Sequence, residues 1–130
     1  MNENQAYIPG MCNINKAEVA YRKKAMWFGV GLSVVLLAVM VGLAVPIAVR
    51  VLLFVPIYIA AIGYLQVRNK FCVAYGASGK QNATDGSDTA LEVAEAEAKA
   101  ADKKKSQKMN LQALGITIVV LVLILFIPNL

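Results

Sequence analysis

The chain has 130 residues, 58% of them hydrophobic, with a mean hydropathy of +0.59 and a formal net charge of +5. That is too apolar for an ordinary water-soluble domain, whose apolar share runs at about 45–50%. It contains no histidine, which removes the commonest general base and metal ligand.

The apolar residues are gathered in uncharged runs. Ala25–Val49 and Val51–Val67 carry no charge, with Arg50 alone between them, and a third run goes from Met109 to the end. About 20 residues of helix cross the hydrocarbon layer. The expected spans are therefore 25–45, 47–66 and 110–128, and the fold class is an all-α membrane protein with three transmembrane helices. The first run exceeds the usual signal-peptide core of about 7–15 residues, so it reads as an anchor.

Taken in order, residues 1–24 form a cytoplasmic segment and helix start. YIPGMCNINKAE, residues 7–18, holds a Pro9-Gly10 turn and a capping box, Asn15-Lys-Ala-Glu18. The helix that starts there runs into the first span, about 30 residues or ~45 Å at the α-helical rise. Arg22, Lys23 and Lys24 then lie at headgroup level with Trp27 just inside. On the first span, Ala25, Gly29 and Ser33 repeat every four residues, and Ala38 and Gly42 continue one register on. Small residues at this spacing let helices approach closely. Ala60, Ala61 and Gly63 make the second span the nearest partner, and another subunit is the alternative.

Residues 25–66 read as a tight helical hairpin. Pro46 breaks the helix between the first two spans, and Pro56 is expected to kink the second. Arg50 sits near a helix end and is expected to snorkel to headgroups. A buried functional arginine is the lesser alternative.

Residues 67–109 form a linker and an Ala-rich charged helix. YGASGKQNATDGSD, 75–88, reads as a flexible link, and Thr89-Ala-Leu-Glu92 as a second capping box. Glu92, Glu95 and Glu97 come early and Lys103, Lys104, Lys105 and Lys108 late, as the helix dipole favours, with a Glu95–Lys99 pair at i,i+4. This helix is expected to be solvated on most sides and to feed the third span, 110–130. The Lys103–Lys108 cluster suits anionic headgroups; it is too short, and too poor in aromatics, for nucleic acid.

Lysine and arginine set the direction. They crowd the first segment and the long loop and are sparse elsewhere, so the N-terminus is expected inside and the C-terminus outside the cytoplasmic (inner) membrane. The sequon Asn82-Ala-Thr84 would then be silent in the cytoplasm.

No charge lies deep in a span, there is no phosphate-binding loop, and Glu92, Glu95, Glu97 and Asp102 do not converge in sequence on a pocket. No enzyme activity, metal or cofactor is expected. Cys12 and Cys72 fall on the same predicted side, and the opening stretch is expected to fold back toward Cys72. Three readings of the pair stand: packing as small apolar side chains, a disulfide or redox pair, or four thiolates pooled by two chains for zinc or an iron–sulfur cluster. Palmitoylation of Cys72 is a further option.

The pattern YIPG-x-CNI, then GYLQ-x-R-x-x-FC, resembles a group of small uncharacterised bacterial membrane proteins. Tyr7, Pro9, Gly10, Cys12, Asn13, Ile14, Glu18, Gly63, Tyr64, Leu65, Gln66, Arg68, Phe71 and Cys72 carry the resemblance, which covers roughly the first 75 positions. It implies a bacterial origin and that Cys12 and Cys72 belong to one unit; no activity comes with it. The expected role is a non-catalytic accessory or structural subunit that meets the bilayer, anionic headgroups and other subunits or copies of itself. A thiol-dependent redox or metal-binding membrane protein is the alternative, and a holin-like pore ranks last.

Overall fold

The structure is a computed structural model and describes residues 7–83 and 90–129. The described chain is mostly helical. Helix α1 spans Lys16–Gly42, α2 Phe54–Asn69, α3 Val73–Ser78 and α4 Ala96–Leu125, and a 3-10 helix, Ile47–Leu53, leads into α2. Three stretches are long and apolar enough to cross a membrane: Lys16–Gly42, Ile47–Asn69 and Ala96–Leu125.

Asn15 starts α1 as read from sequence, its side chain accepting the Glu18 N–H at 2.9 Å. The Glu18 carboxylate bonds Arg22 through one oxygen and Tyr75 and Asn82 through the other. At the far end α1 closes through Leu43 N–H to Val39 O and Val45 N–H to Met40 O. Ala44 there adopts φ +53, a left-handed conformation unusual for a residue with a Cβ.

The second span departs from the expected single kinked helix. Its first turns are 3-10, and Pro56 is the third residue of α2. In the first turn an amide has no partner inside the α-helix, so the missing N–H of proline costs little there.

Helix α2 lies between α1 and α4. A Cβ on Gly29 would stand 2.7 Å from Ala60 N and 2.8 Å from Pro56 O, and one on Gly63 would stand 3.0 Å from Met26 Cα. The two glycines therefore let backbone meet backbone. On the other side Ala61, Leu65, Phe71, Met109 and Ala113 form the core between α2 and α4, and the Tyr58 hydroxyl bonds Asn110 Oδ1.

Between α2 and α4 the described residues carry more regular structure than the composition suggests. Lys70, at φ +52, ends α2, and α3 follows at Val73. Gly79, at φ +72, turns the chain into β1, Lys80–Gln81, which pairs antiparallel with β2, Leu91–Glu92, in the register Lys80↔Glu92. The capping-box reading of Thr89–Glu92 is thus corrected: Leu91 and Glu92 are extended, Val93 donates its N–H to Gly79 O at 2.8 Å, and α4 begins only at Ala96. Thr89 itself, like residues 84–88 of the expected link, lies outside the described residues. The start of α4 is solvated on most sides, as expected, except along one face. Ala98, Asp102 and Ser106 are buried, and the Ser106 hydroxyl donates to Val73 O at 3.0 Å under α3.

Arg50 corrects a further expectation. It is fully buried rather than turned outward from a helix end. Nη1 donates to Ile124 O at 2.7 Å and Ile127 O at 2.5 Å, and Nη2 to Asn129 Oδ1 at 2.8 Å. Asn129 also donates to Val45 O at 3.2 Å. The carbonyls at the end of a helix carry its negative pole, which a guanidinium complements, and Ile124 O accepts the Ile127 N–H at 3.1 Å as well.

Candidate functional site

The two cysteines lie in a polar knot at the opposite end of the apolar helices from Arg50. It begins with the strap of residues 7–15. Ile8 N–H donates to Cys12 O at 2.8 Å and Cys12 N–H to Ile8 O at 2.9 Å, closing a tight loop around Pro9-Gly10. Gly10 supplies the left-handed φ of +72 that the turn requires.

Asp102 anchors that loop. Fully buried, its carboxylate accepts the Tyr7 hydroxyl at 2.6 Å and the Gly10 N–H at 2.7 Å. The Tyr7 phenol is held well above its ordinary value by burial first, then by its bond to Asp102 and that carboxylate's charge.

Asn13 stitches the strap to the chain after α2. Its N–H donates to Lys70 O at 3.1 Å, its carbonyl accepts Asn82 N–H at 2.7 Å, and its side chain bonds both backbone groups of Cys72. One residue thus joins three segments, and it is fully buried. Asn82, the sequon residue, is buried too, its amide donating to Glu18 at 2.8 Å.

Below the strap, Glu18 pairs with Arg22 at 2.5 Å and accepts the Tyr75 hydroxyl at 2.6 Å. That bond, with burial second, raises the Tyr75 phenol above its ordinary range. Arg22 Nη2 lies 3.0 Å from Cys72 Sγ, and its guanidinium stacks 5.6 Å above the Tyr75 ring. Cys72 is buried and Cys12 half-buried, both as free thiols, and Cys12 Sγ points to Ile14 O at 3.7 Å. Among the described residues no group of three or more His, Cys, Asp and Glu side chains gathers to hold a metal.

The expected residues divide accordingly. Arg22 is expected at headgroup level, yet its side chain is only 12% exposed and is held by Glu18 and Cys72. Lys105 is half-buried and donates to Asn69 Oδ1 at 3.0 Å. Lys23, Lys24, Lys103, Lys104 and Lys108 are exposed. Of the small-residue series, Gly29 is buried against α2 and Ala25 and Ser33 are half-buried. Ala38 and Gly42 are exposed, and a Cβ on Gly42 would touch nothing.

The second quoted pattern also acquires roles. Gly63 admits Met26, Tyr64 accepts a hydrogen bond from Arg68, and Leu65 and Phe71 enter the core. Gln66 Oε1 accepts the Val73 N–H at 3.0 Å, satisfying the start of α3. Sequence reasoning missed Asp102, Asn13 and Gln66 as site residues. For Asp102 a signal existed: Ala98, Asp102 and Ser106 repeat every four residues, one face of a helix. Comparison of the chain with protein families, with curated proteins and with solved structures finds no match.

Proposed function

We propose that this chain is a small, non-catalytic integral membrane subunit of a bacterial inner membrane, an accessory or structural component of a larger complex. Its first two spans form a helical hairpin, with the N-terminus and the polar knot inside and the C-terminus outside. The carrying observation is where the buried polar side chains go. Asn13, Glu18, Arg22, Arg50 and Asp102 each bond another part of the chain, so their chemistry is spent on holding segments together. The direction rests on the lysines and arginines around the knot. The exposed Ala38 and Gly42 leave room for another helix to approach α1 closely.

Purification in mild detergent tests the subunit role. A stoichiometric partner is expected, and a lone monomer would sink it. Labelling of Cys12 from each side of sealed vesicles tests the direction, which reaction from the outside alone would reverse.

A second reading, a thiol-dependent membrane protein, is favoured by one contact, Arg22 Nη2 at 3.0 Å from Cys72 Sγ. Replacing both cysteines by serine with no change in metal content or stability removes this reading.

A further inference from the structure

An apolar groove of about 730 Å³ runs between α1 and α4 with α2 as its floor. Trp27, Leu37, Ala60, Tyr64, Ile116 and Ile124 mark its extent. The Ser33 hydroxyl, also in its wall, is turned to Gly29 O at 2.7 Å, so it offers the groove little polarity. Along α1 the lining runs from Met26 to Leu37, ~16 Å at the helical rise. That is roughly half the ~30 Å hydrocarbon layer, the depth of one leaflet.

The mouth toward the polar knot is chemically different. Trp27 and Tyr64 stand there, both exposed. Arg68, exposed one turn beyond Tyr64, donates Nη1 to the Tyr64 hydroxyl at 3.1 Å. Lys23 is exposed one turn before Trp27, on the same side of α1. Because Gly63 meets Met26, antiparallel helices bring those next turns to the same level. An apolar slot one leaflet deep, with two cations at its interfacial end, matches an acyl chain joined to a phosphate. We propose that the groove holds one acyl chain of an anionic phospholipid, with Arg68 and Lys23 meeting its phosphate and Tyr64 and Trp27 seating the glycerol region.

The inference rests on the membrane-spanning reading, and Trp27, the single tryptophan, reports on both. The full chain is reconstituted in vesicles containing brominated phosphatidylglycerol or brominated phosphatidylcholine, and quenching of Trp27 is measured. The anionic lipid is expected to quench at about fivefold lower mole fraction, the effect of roughly one surface charge. Arg68→Gln should bring the ratio toward one, while Lys104→Gln, on α4 outside the groove, should leave it unchanged. Ala60→Leu, which fills the floor, should weaken selective quenching while circular dichroism stays unchanged. Equal quenching by the two lipids in the unmodified chain, including through occupation of the groove by a second copy, overturns the proposal. So does an unaltered ratio in Arg68→Gln. Quenching by neither lipid would overturn the membrane-spanning reading itself, a separate outcome.

Discussion

The side chain of Asn13 brackets the backbone of Cys72, 59 positions later in the chain: Oδ1 accepts the Cys72 N–H at 2.6 Å and Nδ2 donates to the Cys72 carbonyl at 3.2 Å. Both bonds are buried, so one amide serves as a piece of sheet edge between segments that form no sheet. Only a side chain carrying both donor and acceptor can do this. Asn13→Asp keeps the acceptor but loses the donor against a carbonyl, and Asn13→Leu loses both. Either is expected to cost about 1–3 kcal/mol, the range for leaving buried backbone groups unpaired. Thermal melting in detergent measures the loss, and faster maleimide labelling of Cys72 reports the opening. Unchanged labelling would contradict this account.

Asp102 ties the strap to α4 by the same logic with a charge. Asp102→Asn retains one acceptor for two donors, Tyr7 and Gly10, which each bond a different carboxylate oxygen. The strap is expected to become susceptible to limited proteolysis before residue 15, with melting lowered by about 1–3 kcal/mol. Tyr7→Phe should cost less, and the two changes together less than their sum, because the residues share a bond.

Alkaline pH should release the same contacts. The phenols of Tyr7 and Tyr75 are both raised above their ordinary 10.0, Tyr7 chiefly by burial and Tyr75 chiefly by its bond to Glu18. For a group raised on folding, the stabilisation is whole below the unfolded value and is lost as pH climbs through the folded one. Stability from these two phenols is therefore full at neutral pH and declines only above 10.0. Ultraviolet titration should show phenols that ionise late, one fewer in Tyr7→Phe. A titration identical in the two chains would contradict the shift at Tyr7.

Glycines separate packing from exposure. Gly29→Ala forces a methyl against the α2 backbone, at 2.7 Å from Ala60 N, and neither backbone can yield without the helices parting. A cost of about 1–3 kcal/mol is expected, as for overpacking. Gly31→Ala and Gly42→Ala add a methyl where nothing lies within 4 Å and should leave melting unchanged or slightly raised. Equal effects at Gly29 and Gly42 would show that the contact of α1 with α2 is not the limiting one.

Much of this was legible in the residues. Uncharged runs announce membrane-length helices because every backbone group in lipid must be bonded within its own element. Asn15 announces the start of α1, and Gly29 its close contact with α2. For Arg50 and Asn13 what stayed hidden has a common cause: most of their partners are backbone groups, which have no sequence signature. Arg50 near a helix end reads as an interfacial residue, because the carbonyls of Ile124 and Ile127 look like any others in a string of letters. The bonds of Asn13 to the backbone of Lys70, Cys72 and Asn82 are hidden for the same reason. Leu91 and Glu92 follow an apparent helix start, but a pairing with Lys80 and Gln81 overrode it; a two-residue strand carries too little pattern to detect.

The arginine clamp has a consequence for biogenesis. The guanidinium of Arg50 is reached by partners 74 to 79 positions later. Until α4 is complete, that charge has none of them, and water or lipid headgroups must serve instead. A nascent chain stopped before Ile124 would therefore lack these bonds at its first turn, and α4, made after the first two spans, supplies them. The strap waits on α4 as well, through Asp102. α4 thus closes both ends of the described fold, and neither end can be completed before it is made.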